Sequence, residues 1–151
     1  YKMWYSGMNN PGKFYEPDAI GYAISKDGIS WECPFDGPVF SAEHVKSGKL
    51  VKVTAAQIIK SNNWYYMFYI GFESDSRATV CLCRSRTGGG EWEQYPGNPI
   101  VSPDEGCWDH DACYKPAVCI ADGKVMLWYN GRKDSSEQIG LVLKESDNYW
   151  D

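Results

Sequence analysis

A four-residue pattern built on two adjacent aromatics and a closing glycine occurs three times in this chain: Trp4-Tyr5-Ser6-Gly7, Phe68-Tyr69-Ile70-Gly71 and Trp128-Tyr129-Asn130-Gly131. The copies lie 64 and 60 residues apart. Each is followed by a polar loop and then by a β-rich run, Ile20–Ser25, Thr79–Arg84 and Ile139–Lys144. The next stretch repeats too. Lys26-Asp27-Gly28-Ile29-Ser30-Trp31-Glu32 matches the segment from Arg86 to Glu93, and Gly37-Pro38-Val39-Phe40-Ser41 matches Asn98-Pro99-Ile100-Val101-Ser102. Asp27-Gly28 and the Gly88–Gly90 run are turn chemistry, because glycine supplies the positive φ that tight turns need.

A period near 60 residues with four short strands per unit predicts an all-β fold, and a propeller blade rather than a solenoid coil. With strands lettered a to d from the central channel outward, blade one (1–41) supplies b (Lys2–Gly7), c (Ile20–Ser25) and d (Pro38–Ser41). Blade two (51–102) supplies a (Val51–Ile59), b (Tyr65–Gly71), c (Thr79–Ser85) and d (Pro99–Ser102). Blade three (107–151) supplies a (Asp111–Ile120), b (Val125–Gly131) and c (Ile139–Lys144), without a proper d. Residues 1–151 therefore read as a partial β-propeller of four-stranded antiparallel blades, about two and a half of them. An open propeller leaves an apolar sheet edge bare. The chain is then either a fragment of a longer protein or a half-propeller that pairs with a second copy into a homodimer of five blades. Tyr1–Gly7 already reads as a strand, so the chain starts inside a structural element.

Composition narrows the partners. Aromatics are 15%, dominated by 11 Tyr and 7 Trp, which suits sheets and carbohydrate-facing surfaces. The net charge is -5 and no basic cluster exists to neutralise a run of phosphates, so no nucleic acid is expected. No apolar run approaches the roughly 18 residues of a membrane span. The six cysteines are expected as free, mostly buried thiols, with disulfides or a metal site as the alternative. Cys81 and Cys83 share one strand face, and Cys107-x5-Cys113-x5-Cys119 is not a zinc spacing. His44 and His110 have carboxylates nearby but no HExxH or facial-triad spacing, so neither metal nor cofactor is expected.

Strand alternation puts the b–c and d–a loops at one end of a propeller, and here these are the long polar ones: Met8–Asp18, Glu43–Lys49, Glu73–Arg77, Asp104–Asp111 and Arg132–Gln138. The opposite turns are short, at Ser61–Asn63, Ala121–Gly123 and Lys26–Gly28. Long loops gathered on one face are where binding and catalysis sit. Asp109 and Asp111 lead into an innermost strand, where they are either channel carboxylates or turn-capping groups. Glu43 and His44 are either a channel acid with its neighbour or solvated loop residues. Lys115 shares the parity of Asp111 and Cys113 and should pair with Asp111 before a polar ligand, since an unpaired buried ammonium is costly. Trp31, Trp92, Trp4, Phe68 and Trp128 recur at fixed blade positions and are expected in packing. Trp108 and Tyr15 do not recur, so they are the rings available to stack on a sugar.

These motifs together resemble the blade repeat of the five-bladed glycosidase superfamily, which includes glycoside hydrolase families 43, 32, 62 and 130. The resemblance rests on Trp-Tyr-Ser-Gly, on Ile-Gly-Tyr-Ala-Ile-Ser-Lys-Asp-Gly-Ile-Ser-Trp-Glu and on Cys107-Trp108-Asp109 leading to Tyr114-Lys115-Pro116. It implies a glycan or oligosaccharide partner held in a polar funnel, and catalysis by carboxylates projecting from the innermost strands. On that resemblance Asp109, Asp111 and Glu43 are the catalytic candidates, with Lys115, Trp108, His110, His44 and Tyr15 as substrate-binding residues. It leaves three activities open: glycoside hydrolysis, phosphorolysis of the mannoside-phosphorylase type, and non-catalytic carbohydrate binding or a structural role. The chain departs from the family where an Asp commonly precedes the innermost-strand proline. Here Lys115 precedes Pro116, and the matching pair one repeat earlier is Ala55-Ala56.

Overall fold

The structure, a computed structural model, describes residues 1–12, 16–146 and 148–150. It is all-β. Its strands are β1 (Lys2–Gly7), β2 (Ala19–Ile24), β3 (Phe40–Ser41), β4 (Lys52–Ser61), β5 (Trp64–Phe72), β6 (Ala78–Ser85), β7 (Glu93–Gln94), β8 (Ala112–Ala121), β9 (Lys124–Lys133) and β10 (Ser136–Lys144). Two tight turns follow directly from sequence. Asn62-Asn63 joins β4 to β5 and Asp122-Gly123 joins β8 to β9, all four residues at positive φ (47°, 61°, 50° and 71°). That is the backbone a two-residue hairpin turn demands, and Asn, Asp and Gly are the residues that tolerate it.

β1, β2 and β3 form one antiparallel sheet, and the other seven strands form a second with the order β10-β9-β8-β6-β5-β4, β7 pairing with β6. The second sheet is mixed, because β6 and β8 meet in parallel at a single pair, Ala78 and Ala112. Regular four-stranded antiparallel blades are therefore not what the ladders draw. The expected outer strand Pro99–Ser102 is reduced to one bridge between Val101 and Val80. The reason is local: Pro99 has no N–H to offer a ladder. The side-chain amide of Asn98 stands in for the missing rung, accepting the Leu82 N–H and donating to the Leu82 carbonyl, each at 2.8 Å.

β4 and β8 each carry a bulge at the same place in the repeat. On β4, Ala55 and Ala56 stand opposite the single residue Tyr69, and on β8, Lys115 and Pro116 stand opposite Tyr129. The first residue of each bulge has positive φ, 45° at Ala55 and 52° at Lys115. The two inner strands are then tied by one side chain. Gln57 Nε2 donates to the Val118 carbonyl at 2.9 Å, and Gln57 Oε1 accepts the Val118 N–H at 2.5 Å.

The hairpin β5–β6 is buried on both faces, as alternation in a covered sheet requires. Met67, Tyr69, Cys81 and Cys83 pack toward β2 and β3, against Ile20, Tyr22 and Phe40. Tyr66, Phe68, Val80 and Leu82 pack the other way, against Val118, Val125 and Leu127. The face shared by Cys81 and Cys83 is thus core. All six cysteines are free thiols; Cys81, Cys83 and Cys113 are buried while Cys33, Cys107 and Cys119 are exposed, so half rather than most are covered. Of the recurring aromatics, Phe68, Trp4 and Trp92 pack against the core as expected, whereas Trp31 is exposed. The Trp4 indole donates to the Gly88 carbonyl at 2.7 Å and lies between Tyr22 and Tyr65.

Candidate functional site: a polar cluster at the β8 bulge and an adjoining cleft

Strand topology brings the polar loops to one end of the sheets. Residues from three of them, Asn9, Asn10, Glu43, Glu73 and Asp75, line an open cleft of about 650 Å³ with Asp18 at its wall. Asp18 is buried, and its carboxylate accepts the Asn9 N–H at 2.5 Å and the Asn10 side-chain amide at 2.7 Å. Burial by itself would raise this carboxyl; the hydrogen bonds from Asn10 and Asn9 outweigh it and hold it below the usual carboxylate range. Lys52 beneath is 4% exposed and bridges Glu16 at 3.0 Å and Asp75 at 3.8 Å, with Phe72 under its ammonium. Arg132 connects the cleft rim to the neighbouring unit by donating to the Ser76 carbonyl at 2.6 Å.

Beside that rim, the β8 bulge presents a second set of groups. Glu137 at the start of β10 accepts the Tyr114 hydroxyl on one oxygen and, on the other, the Asn130 amide at 3.1 Å. Lys115 Nζ stands 3.9 Å from the same carboxylate and 5.0 Å from the Tyr114 ring. Hydrogen bonds from Tyr114 first and Asn130 second hold Glu137 below the ordinary Glu range. The Tyr114 phenol is pushed up to about 12, mainly by burial and then by Glu137. The cluster is therefore an ionised carboxylate framed by neutral donors and one exposed ammonium.

The expected site residues fall in different places. Asp111 and His110 do reach this region: His110 Nδ1 lies 2.9 Å from Asp111 Oδ1, and Asp111 Oδ2 accepts the Asp134 N–H at 2.6 Å. The His110 contact, followed by the Asp134 N–H, keeps the Asp111 carboxyl low. The expected Lys115–Asp111 pair is not formed. The bulge turns Lys115 to positive φ, and its side chain, 61% exposed, goes to Glu137 instead. Asp109 is turned inward, 7% exposed, accepting the Tyr129 hydroxyl at 2.8 Å and lying 3.7 Å from the Cys113 thiol. That thiol is pushed up to about 12, chiefly by burial and then by Asp109.

Trp108 is not a free stacking surface. It stacks on Tyr129 at 5.8 Å and lies so close over Gly131 and Gly140 that a Cβ there would meet its ring at 2.3 and 2.9 Å. Glu43 is exposed on the cleft, whereas His44 is used locally, its Nδ1 accepting the Ser41 N–H at 3.1 Å beside the Phe40 ring. Tyr15 lies outside the described residues. Among the described residues, no group of three or more His, Cys, Asp or Glu side chains could hold a metal ion. Glu137 is the residue that sequence reasoning missed. A clue existed in Asn130, a polar residue at the repeat position held by Ser6 and Ile70, directly across the ladder from Tyr114.

No protein-family model matches the chain. Two curated relatives, the uncharacterized proteins MT1551 and Rv1502 of Mycobacterium tuberculosis, are each 23% identical over 150 residues, covering 97% of this chain and 47% of the relative. The chain thus spans about half the length of the curated relatives it matches. Among solved structures, a glycoside hydrolase superposes with a TM-score of 0.67 at 23% identity, over 83% of this chain and 35% of that one. Zg3597, a family 117 glycoside hydrolase from the marine bacterium Zobellia galactanivorans, gives 0.69 at 24% identity, over 85% and 38%. At such identities the likeness establishes a shared all-β fold. No helix among the described residues is long and apolar enough to cross a membrane.

Proposed function

We propose that this chain is part of a five-bladed, propeller-type carbohydrate-active protein and that its polar end binds a glycan. The supporting observation is the Tyr114–Glu137–Asn130–Lys115 cluster, displayed by a bulge on an inner strand of a fold shared with glycoside hydrolases. A sugar ring offers hydroxyls that need both acceptors and donors, and the cluster supplies an ionised carboxylate beside an ammonium, a phenol and an amide. Glu137 and Asp111 both favour the ionised form, so in hydrolysis they suit base, nucleophile or hydroxyl-orienting roles rather than that of proton donor. The donor would come from elsewhere in the complete fold, supplied by further blades or by a second copy of this chain completing five.

Non-catalytic glycan binding is the second reading, favoured by Asp109, whose carboxylate is consumed in the core. Titration calorimetry against arabino-, xylo-, fructo- and manno-oligosaccharides, with turnover followed by reducing-end release, decides between them. One oligosaccharide should bind, and Glu137→Gln should weaken it tenfold or more. Binding without turnover when the chain stands in its complete fold selects the second reading; absence of binding by every sugar, or an unaffected Glu137→Gln variant, overturns both. Light scattering at several concentrations tests the paired assembly, which requires a mass near twice 17.1 kDa.

A further inference from the structure

At the end of the β5–β6 hairpin remote from residues 73–75, an alternating ladder of cations and aromatic rings runs across the surface. The Arg86 guanidinium lies 3.6 Å from the Trp64 ring centroid, Arg84 lies 4.2 Å from the same ring and 4.0 Å from Trp150, and Trp150 meets Tyr95 edge-on at 5.3 Å. The two arginines differ in what their edges do. Arg84 is committed to Glu93 through two bonds, at 2.7 and 3.2 Å. Arg86 is exposed and has neither an ion pair nor a hydrogen bond among the described residues. Stacking occupies only the face of a guanidinium, so the planar fork of N–H donors at its edge stays available in a fixed orientation.

That edge borders a surface groove of about 740 Å³ also lined by Lys46, Glu91 and Trp92. Lys46 too lacks an ion pair among the described residues. The Trp92 indole N–H is buried and has no acceptor among them. The nitrogen itself is closed off, but the residue is part of the groove wall, so its resonance reports on what enters. Charge fixes the scale of the occupant. Lys46, Arg84 and Arg86 face Glu91 and Glu93, which leaves one positive charge, suited to one carboxylate rather than to a polyphosphate. The groove volume lies within the roughly 300–1,000 Å³ of small-ligand sites, and Glu91 offers an acceptor for hydroxyls.

We propose that this groove binds a sugar acid, its carboxylate forked onto Arg86 with Lys46 alongside and its hydroxyls donating to Glu91, against a wall that includes Trp92. The site is separate from the Glu137 cluster and does not depend on the function proposed for it.

The test is a ¹H–¹⁵N NMR titration of the whole chain with sodium glucuronate at constant ionic strength, the Trp92 indole resonance being identified with Trp92→Phe. Glucuronate should move that resonance saturably, whereas glucose and acetate should bind at least tenfold more weakly. Arg86→Gln should weaken glucuronate tenfold or more, Arg86→Lys should lose most of that as well because the fork is gone, and Lys46→Gln should have a smaller effect. Glu137→Gln should leave it unchanged. Absence of a saturable shift, equal affinity for acetate or glucose, or undiminished affinity in both Arg86→Lys and Lys46→Gln would overturn the proposal. The last two variants keep a long side chain at exposed positions, so the test survives a folding failure of Arg86→Gln.

Discussion

Tyr129 donates its hydroxyl hydrogen to Asp109 Oδ2 across 2.8 Å, and both side chains are buried. The pair couples the loop before β8 to the repeated aromatic of β9, placing a carboxylate in the core where, among the described residues, a phenol and a thiol are the side chains that hydrogen-bond it. Such a group is tolerated because it is hydrogen-bonded. Tyr129→Phe removes the donor and leaves the carboxylate behind. It should lower unfolding free energy by about 1–3 kcal/mol, read as a shift of the urea midpoint at constant slope.

The glycine across the ladder from Cys113 is as constrained. A methyl group at Gly131 would meet the Trp108 ring at 2.3 Å and Asp109 Cβ at 2.5 Å. Gly131→Ala should therefore destabilise by about 1–3 kcal/mol through overpacking. Thermal unfolding would register it, and an unchanged melting temperature would mean that Trp108 is loosely held.

Thiol reactivity should split evenly. Burial raises the Cys81, Cys83 and Cys113 thiols, Cys113 to about 12, whereas Cys33, Cys107 and Cys119 are exposed. The thiolate is the reacting species. At pH 8, a disulfide reagent should label three thiols quickly in the native chain and the other three only on unfolding; fast labelling of more than three would contradict the packing described.

Asp27 should make folding sensitive to acid. Its carboxylate accepts the Ile29 and Ser30 N–H groups at 2.8 Å each, and these bonds first, with Ser25 after them, lower it from 3.8 to about 2. A lowered folded-state value contributes stability above the unfolded value and loses it as pH falls through the folded one. The contribution is thus complete above pH 3.8 and disappears toward pH 2. Asp27→Asn should flatten the acid limb of a stability–pH curve in that window, and a carboxyl NMR titration should place the midpoint below that of an unstructured Asp.

The repeat made much of the architecture legible, since the aromatic-pair strands, the β-rich runs after them and the short turns all fall where the pattern puts them. The outer strand near Pro99 was not legible, because a side-chain amide took over a backbone role. The site was harder still. Parity arguments put Lys115 with Asp111 and Cys113, but they presume an unbroken pleat, and the bulge opposite Tyr129 adds a residue between Tyr114 and Ala117. Cys113 and Val118, of opposite parity, consequently enter the same core. Lys115 sits at the discontinuity and follows neither rule. Its partner Glu137 belongs to a stretch without any motif, and their pairing becomes visible when β10 is folded back on β9.

The amide of Gln57 carries a further consequence. β4 and β8 share no ladder of their own, so this side chain, holding the Val118 N–H and carbonyl together, acts as a rung between two strands that otherwise only touch. Backbone rungs cannot be lengthened by mutation, but this one can. Replacing it with Asn shortens the spacer by one methylene, and replacing it with Glu removes the donor. Either change acts on how the β4–β5–β6 half of the seven-stranded sheet is held to the β8–β9–β10 half, whose one ladder contact among the described residues is the single Ala78–Ala112 pair.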